Sequence, residues 1–339
     1  MSLLRAERRR LFKRRFTRWM LVIGVLVLAA VATGLFVNNS KATPARIAAA
    51  EREADNQYRL NIGYIDSYRQ RCQAAQKSNA TPDPNEHFPT NCDDIQPPTR
   101  DEFLAVNYLS PTFNFRQNFP VTITMFAGVF ALIFFVIGAS FVGAEWTSGG
   151  MMNLLLWRPR RLQVFFTKLG TLLGGLFPVV VVFAAAWTAA CWAIATFHGT
   201  TAKMTPGVWR SLALTGTRGV LLALVMAAVG FALAAIGRHT AVALGIAAGV
   251  AVVGQLGLAL VLANARIPFW ERWFLPTYIN AWMNKTVKLE DFRACQFAQG
   301  QCHPREMLIT WQQSGLLFGT VLVLLIAIAA WLMKRRDVT

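Results

Sequence analysis

The sequence predicts an all-α polytopic membrane protein with six transmembrane helices, an N-terminal amphipathic interfacial helix and two extracytoplasmic loop domains. Of the 339 residues, 55% are hydrophobic and only 15% are charged, whereas soluble domains are about 45–50% apolar. The apolar residues fall in blocks long enough to cross a bilayer, which takes about 20 residues per helix. Basic residues are concentrated beside these blocks. Together, these observations predict the fold class.

The apolar blocks are interpreted as helices because backbone polar groups inside hydrocarbon must form their hydrogen bonds within the same segment. At a rise of about 1.5 Å per residue, each block covers most of an apolar layer about 30 Å thick. Spans three to five lie in residues 169–265. The predicted spans are residues 19–37, 119–143, 169–197, 212–236, 241–265 and 314–333.

The charge distribution predicts the orientation. Residues 1–18 hold eight Lys or Arg and a single acid, Glu7, and such clusters favour the cytoplasmic side of a membrane. Both termini are therefore predicted to be cytoplasmic in a multi-pass membrane protein. This orientation places residues 1–18, 144–168, 237–240 and 334–339 inside, and loops 38–118, 198–211 and 266–313 outside.

A net charge of +17 is also typical of proteins that bind nucleic acid. Here the basic clusters adjoin apolar spans and form no recognisable recognition module. The distribution therefore argues against nucleic acid as a partner and favours membrane lipids.

The leading segment, residues 3–19, carries apolar residues on one helical stripe among arginines. This pattern predicts an amphipathic helix at the inner membrane interface. A plain basic anchor and a contact with a partner subunit are the alternatives. An uncleaved first span is favoured over a signal peptide, because the apolar run is longer than that of a cleaved signal. The stripe consists of Leu4, Leu11, Phe12, Phe16 and Trp19.

The cysteines divide between the predicted loops. Cys72 and Cys92 share loop 38–118, and Cys295 and Cys302 share loop 266–313, while Cys191 lies inside a span. Paired cysteines in polar loops on an oxidising side predict two disulfides, with free thiols as the alternative. No His and Cys residues have the spacing of a zinc site. The first half of loop 38–118 is predicted to be helical, and its Pro-rich second half irregular.

The segment between spans two and three has the most informative pattern. An acid at the membrane boundary can meet a cation, and a glycine pair permits a tight turn. An apolar run then predicts a short helix, which a proline ends. The pattern indicates a rigid element that joins two spans. Its residues in chain order are Glu145, Gly149, Gly150, Leu154, Leu155, Pro159, Arg161 and Lys168.

This order resembles that of the ATP-binding-cassette type 2 permease family, in which a Glu, a Gly, an apolar stretch, a Pro, a basic residue and a Lys follow one another. The six-span layout and the basic leading helix also fit, whereas many relatives lack a loop as large as 38–118. The resemblance implies that these residues couple the chain to a separate ATPase subunit in two copies. It also implies a second permease subunit, in a homodimer or a heterodimer.

The chain contains no G-x-x-x-x-G-K-[ST] motif and so no phosphate-binding loop of that kind. We therefore expect it to be a non-catalytic subunit without a cofactor of its own, with ATP and Mg bound by the partner ATPase. The spans contain no Asp or Glu, which argues against a proton-relay carrier.

A few polar side chains lie inside the spans. Thr122, Thr124 and Gln255 are candidates for lining a transport pathway, and hydrogen bonding to neighbouring helices is the alternative. Arg218 in span four either extends towards the outer interface or contacts substrate. Two Gly-x-x-x-Gly motifs, at residues 170–174 and 245–249, suit close helix packing.

The resemblance thus implies the membrane-spanning permease of an ATP-driven exporter in the bacterial plasma membrane. Its weakly charged spans suit a hydrophobic or amphipathic substrate. The alternative is a polytopic sensor or scaffold with a ligand-binding exterior domain and no ATPase partner.

Overall fold

The computed structural model describes residues 3–78, 88–89, 91–157, 160–265, 267–291 and 304–335. Within these ranges the chain is mainly helical, and six helices are long and apolar enough to cross a membrane. The predicted fold class, an all-α polytopic membrane protein, is therefore confirmed. The interfacial position of the leading helix and the exterior position of the loops stay predictions.

The helices are numbered in chain order. They are α1 (Leu3–Lys13), α2 (Arg15–Asn38), α3 (Pro44–Ser78), α4 (Phe115–Thr147), α5 (Gly150–Trp157), α6 (Arg161–His198), α7 (Pro206–Gly237), α8 (Thr240–Gly249), α9 (Leu258–Asn264), α10 (Leu275–Asn284) and α11 (Trp311–Arg335). Single 3-10 turns occupy Cys92–Asp94, Arg100–Glu102, Ala105–Asn107 and Trp270–Trp273. The first two strands, β1 (Phe113–Asn114) and β2 (Gly199–Thr200), pair in parallel.

The predicted spans lie within helical residues, apart from Ala265 at the end of span five. Span five is composite, because a π-helical stretch, Val250–Gly257, joins α8 to α9. Helix α6 begins at Arg161, well before the predicted start of span three at residue 169. The helix runs through Lys168, whose charge is paired with two carboxylates.

The chain divides into two compact units. The first comprises Met1–Thr33, Phe115–Ala193 and Thr201–Thr339, and the second comprises Gly34–Asn114 and Ile194–Thr200.

Helices α4 and α7 form the packed core of the first unit. Ala127 faces Gly219, and further along both helices Gly138 faces Ala227. Residue numbers rise in the same direction along the contact, so α4 and α7 run parallel. This is expected because one other span, α6, lies between them in the chain. A Cβ atom at Gly138 would collide with the backbone carbonyl oxygen of Ala227. The helices therefore approach closely enough for backbone to meet backbone.

The Gly-x-x-x-Gly motifs do not make such contacts within the described chain. A Cβ atom at Gly170, Gly174, Gly245 or Gly249 would meet no heavy atom within 4 Å. The close packing that these motifs suggested is therefore absent from this part of the chain, and it occurs instead at Gly138 and its neighbours.

A two-stranded antiparallel sheet lies between α10 and α11. Strand β3 (Thr286–Asp291) pairs with β4 (Arg305–Thr310), with Thr286 opposite Thr310. Helix α11 follows β4 directly, and the backbone N–H of Trp311 donates to the carbonyl oxygen of Lys285 at 2.8 Å. The hairpin thus fixes the start of the last span against the end of α10.

The second unit is built on the long helix α3. A disulfide joins Cys72 of α3 to Cys92, and both residues are buried with Ile95 against Tyr68 and Phe88. This pairing confirms one predicted disulfide. The predicted helix in the first half of the loop is also confirmed, and the residues from Cys92 to Asn107 form only short 3-10 turns. Cys295 and Cys302 lie outside the described residues.

We expect Cys72 and Cys92 to resist alkylation in the folded protein until a reductant is added. The disulfide closes a loop with a sequence separation of 20 residues, and a loop of that size corresponds to about 3 kcal/mol of stabilisation through the unfolded chain. The double variant Cys72→Ser/Cys92→Ser should therefore unfold at lower temperature. Mass spectrometry after iodoacetamide treatment, with and without reduction, measures the first effect. Modification of both thiols before reduction would contradict the pairing.

Candidate functional site

The end of α4 leads through a tight turn into the short helix α5. Helix α4 ends at Thr147, and Gly149 adopts a φ of +71°, a left-handed conformation that costs a glycine little. Helix α5 then runs from Gly150 to Trp157 and buries Met151, which is 2% exposed. The left-handed Gly149 therefore separates α4 from α5, and the apolar run forms a helix of about two turns.

Lys168 of α6 is the most deeply buried cation of this region, with a fully buried side chain. Its Nζ atom lies 2.8 Å from Glu7 Oε2 and 2.6 Å from Glu145 Oε2. A buried ammonium group is strongly destabilising unless charged partners surround it. Two carboxylates from two different helices provide that environment.

Arg14, between α1 and α2, completes the coordination of Glu145. Its Nη2 atom lies 2.8 Å from Glu145 Oε1, and its Nη1 donates to the carbonyl oxygens of Ser140 and Phe141 at 3.1 and 3.2 Å. The Phe141 ring lies 5.4 Å from both the Arg14 guanidinium carbon and Lys168 Nζ. At that distance the aromatic face adds a favourable cation–π interaction to each cation.

The remaining carboxylate, Glu7 of α1, is also fully buried. It accepts from Lys168 and, through Oε1, from Arg10 Nη1 at 3.2 Å. The set formed by Glu7, Arg10, Arg14, Glu145 and Lys168 is called the charge network below. It joins α1, α4 and α6 at one point and holds one more positive charge than negative charges.

A surface cavity of about 450 Å³ opens beside the charge network. Cationic and anionic side chains line one part of it, and the start of α5 lines the other. It is an accessible recess in which both the network and α5 can be contacted from outside. Its lining residues are Arg10, Arg14, Glu145, Gly150, Asn153 and Leu154.

The turn between α7 and α8 also packs on the end of α4. Arg238 adopts the left-handed conformation, with a φ of 52°, and its guanidinium carbon lies 4.8 Å from the centre of the Trp146 ring. A Cβ atom at Gly143 would collide with Thr240. Helices α1 and α5 and this turn therefore meet at one end of α4. The charge distribution had predicted all three segments to lie on the same side of the membrane.

The other predicted coupling residues are placed as follows. Leu154 lies on α5, where it is half-buried, and Arg161 begins α6. Leu155 belongs to α5, but its side chain and the whole of Pro159 lie outside the described residues.

The candidate pathway residues form hydrogen bonds within the chain. Buried Thr122 donates to the carbonyl oxygen of Phe119 at 3.0 Å, and its own carbonyl oxygen accepts from Trp187 Nε1 at 3.2 Å. Thr124 donates to the carbonyl oxygen of Pro120 at 2.7 Å. The Gln255 side-chain oxygen accepts from the N–H of Leu275 at 2.9 Å, at the first residue of α10. These bonds account for the polar groups locally, and a role in a pathway stays a prediction.

Sequence reasoning missed Glu7 and Arg14 as members of the site. Glu7 was counted only as the single acid among eight cations. One signal was available, since Glu7 and Leu11 are four residues apart and share a helix face. Both are fully buried, and a Cβ atom at Gly175 of α6 would be 2.9 Å from Leu11 Cδ2. By contrast, Phe16 and Trp19 of the predicted stripe are exposed.

Residues 10–338 match the model of the family described as ABC-2 family transporter protein. No curated protein and no solved structure matches the chain.

Proposed function

The chain belongs to the ABC-2 transporter family, and we propose that it is the membrane-spanning permease subunit of an ATP-driven exporter. Membership of this family implies partnership with an ABC ATPase subunit. In our proposal two copies of that ATPase bind ATP and Mg, and a second permease subunit completes the transport pathway. This chain then performs no hydrolysis and instead changes conformation in response to nucleotide bound elsewhere.

The observation that carries the proposal is the charge network beside α5. Glu145 is only a few residues from the start of α5, so a displacement of α5 acts directly on α4. Glu145 is paired with Lys168 of α6 and with Arg14 at the start of the first span, at 2.6 and 2.8 Å. Buried ion pairs are costly to separate. Force applied at α5 is therefore transmitted to α4, to α6 and, through Arg14, to the junction of α1 and α2, rather than to α4 alone.

The accessible recess beside the charge network is the proposed binding site for the ATPase subunit. It exposes part of Arg10, which is 56% exposed, next to the first turn of α5. A partner side chain placed there contacts a cation and an apolar helix at once, which is a common arrangement in protein interfaces. In this proposal α5 lies in the cytoplasm of a bacterial cell, as the basic clusters indicate.

The proposed substrate is hydrophobic or amphipathic. None of the six predicted spans contains Asp or Glu, so the chain offers no negative charge there for binding a cationic substrate. Helices α2, α11 and the composite span Thr240–Leu262 are largely unburied within this chain. Lipid or a second permease subunit can cover these surfaces, and a pathway between subunits would use them. Gln255 belongs to the composite span and remains a proposed polar residue of that pathway. Thr122 and Thr124 belong to α4, so in this proposal they join the pathway when α4 moves.

We expect Glu145→Gln to lower substrate-stimulated ATP hydrolysis about ten-fold without preventing membrane insertion. The amide keeps the size of the side chain but removes the charge that holds Arg14 and Lys168, and coupling between sites is typically worth a factor of about 5–150. The measurement uses proteoliposomes that contain this chain together with its co-purified ATPase. Glu51→Gln, an exposed acid on α3, is the matched control.

Two results would count against this function. Equal coupling in the Glu145→Gln and Glu51→Gln proteins would remove the network from the mechanism. Absence of any co-purifying ATPase, together with function in its absence, would favour the alternative of a membrane sensor or scaffold.

A further inference from the structure

Two depressions adjoin each other on the surface of α11. They have volumes of about 600 and 390 Å³ and share Leu316 and Thr320 in their walls. The first is bounded by α10, β4 and the start of α11, and the second continues along α11 to Leu324. The two together are called the α11 groove.

The end of the groove near the hairpin is polar and cationic. Arg272, Tyr278 and Gln313 contribute to its lining. Among the described residues, Arg272 has no carboxylate within ion-pair distance, and its guanidinium carbon lies 5.1 Å from the Trp273 ring centre. The side-chain oxygen of Gln313 accepts from the N–H of Thr310 at 3.1 Å, which leaves its amide hydrogens available as donors. This end therefore offers a cation and N–H donors to an anion.

The rest of the groove is apolar and follows the helix. Leu316 is 73% exposed and Leu324 is 55% exposed, although both belong to a helix long enough to span a membrane. A Cβ atom at Gly319, which lines the second depression, would meet no heavy atom within 4 Å. From Gln313 to Leu324 the helix rises about 16 Å at about 1.5 Å per residue. A cationic end is thus followed by a long, narrow apolar surface.

We infer that the α11 groove binds one anionic phospholipid, with its phosphate at Arg272 and an acyl chain along α11 towards Leu324. The lining has a net positive charge, with Arg272 and no acid, which favours a lipid of net negative charge over a zwitterionic one. The arginine fork also matches the phosphate in shape. The orientation selects a lipid over a peptide, because the apolar part runs along a membrane-spanning helix. The inference rests only on α11 crossing the membrane and is independent of the ATPase partnership.

The test is photo-crosslinking of the full-length chain in nanodiscs. The probe is phosphatidylglycerol with a diazirine in one acyl chain, at low abundance in a phosphatidylcholine bilayer. We expect labelling of residues 316–324, competed by unlabelled phosphatidylglycerol and not by extra phosphatidylcholine. Arg272→Gln should reduce this labelling about five-fold, as expected for loss of one interfacial cation. Arg210→Gln, an exposed arginine outside the groove lining, should leave it unchanged.

A second pair of variants separates groove occupancy from headgroup charge. Gly319→Leu should abolish labelling of residues 316–324 by filling the groove, and it should leave the fold intact because the position is open. Gly245→Leu, at an equally open glycine of α8, should not affect the labelling. Equal labelling in the Arg272→Gln protein, competition by phosphatidylcholine, or no labelling of residues 316–324 in the unmodified chain would each overturn the inference.

Discussion

Replacement of Lys168 by Met is expected to destabilise the folded protein by about 3–5 kcal/mol, the range for breaking a buried ion pair on one side. Methionine replaces the aliphatic part of lysine and lacks the ammonium group, so the loss is mainly one of charge rather than of packing volume. Glu145 keeps Arg14 at 2.8 Å. Glu7 is left fully buried with Arg10 alone, whose side chain is 56% exposed. The main penalty therefore falls on Glu7.

Because the penalty falls mainly on Glu7, a second substitution at Glu7 should offset part of the stability loss. Glu7→Gln/Lys168→Met removes the stranded carboxylate as well as the ammonium, so it should recover part of the stability lost in Lys168→Met. Coupling energies between interacting residues are about 0.5–3 kcal/mol. The measurement is thermal or denaturant unfolding of the detergent-solubilised protein, with Lys13→Met as control. Lys13 is an exposed cation of α1, and its loss should change stability by no more than about 0.5 kcal/mol.

Equal stability of the Lys168→Met and Lys13→Met proteins would show that the charge network is not held in the folded state. Additive losses in Glu7→Gln and Lys168→Met would show that the two side chains do not interact. Either result would also weaken the proposed transmission from α5, since that proposal requires the network to remain intact while the helices move.

The membrane spans were predictable because hydrocarbon imposes a constraint that can be read locally. A block of about 20 apolar residues must be helical wherever it crosses a bilayer. The spans and their sequential order therefore follow from the sequence alone. The ends of the helices cannot be predicted in this way, because a helix can continue beyond its apolar block where polar side chains form ion pairs or hydrogen bonds. Lys168 is such a case, with two carboxylates that allow α6 to begin at Arg161.

The members of the charge network were only partly predictable for a related reason. Glu145 and Lys168 belong to a local pattern, and the family resemblance drew attention to them. Glu7 lies 161 residues from Lys168 in sequence, and Arg14 lies 131 residues from Glu145. No local pattern indicates pairings across such distances. The basic character of residues 1–18 also obscured the one acid that the fold buries.

The glycines at which α4 and α7 pack closely could not be predicted from a local pattern either. A Gly-x-x-x-Gly motif marks a smooth helix face but says nothing about what covers it. Gly138 and Gly230 do not belong to such a motif, yet a Cβ atom at either would collide with backbone of the opposite helix. The partner of each lies on the other helix, so spacing within one helix does not reveal it.

The second large effect is expected at this crossing of α4 and α7. Gly138→Val should destabilise the protein by about 3 kcal/mol or more, at the upper end of the range for overpacking. The new side chain meets the carbonyl oxygen of Ala227, which belongs to the backbone and cannot rotate away as a side chain could. Gly230→Val should behave alike, because its Cβ atom would meet the carbonyl oxygen of Phe135. Unfolding of the solubilised protein measures both.

Substitution by alanine tests the close approach through the sign of the stability change rather than its magnitude. In a helix, replacing Gly by Ala normally stabilises by about 0.5–1 kcal/mol. Gly128→Ala should do so, since that position of α4 is open. Gly138→Ala should destabilise, because the single added methyl group already collides with the backbone of α7. Stabilisation in both proteins would show that α4 and α7 do not approach as closely as described.

The two predicted effects are linked through α4. Gly138 and Glu145 are seven residues apart, close to two helical turns, so they lie on nearly the same face of the helix. The crossing with α7 at Gly138 therefore fixes the rotation of α4 that aims Glu145 at Lys168 and Arg14. If so, Gly138→Ala should reduce substrate-stimulated ATP hydrolysis more than Gly128→Ala does, even at temperatures where both proteins remain folded. A loss of stability without any loss of coupling would confine the crossing to a structural role.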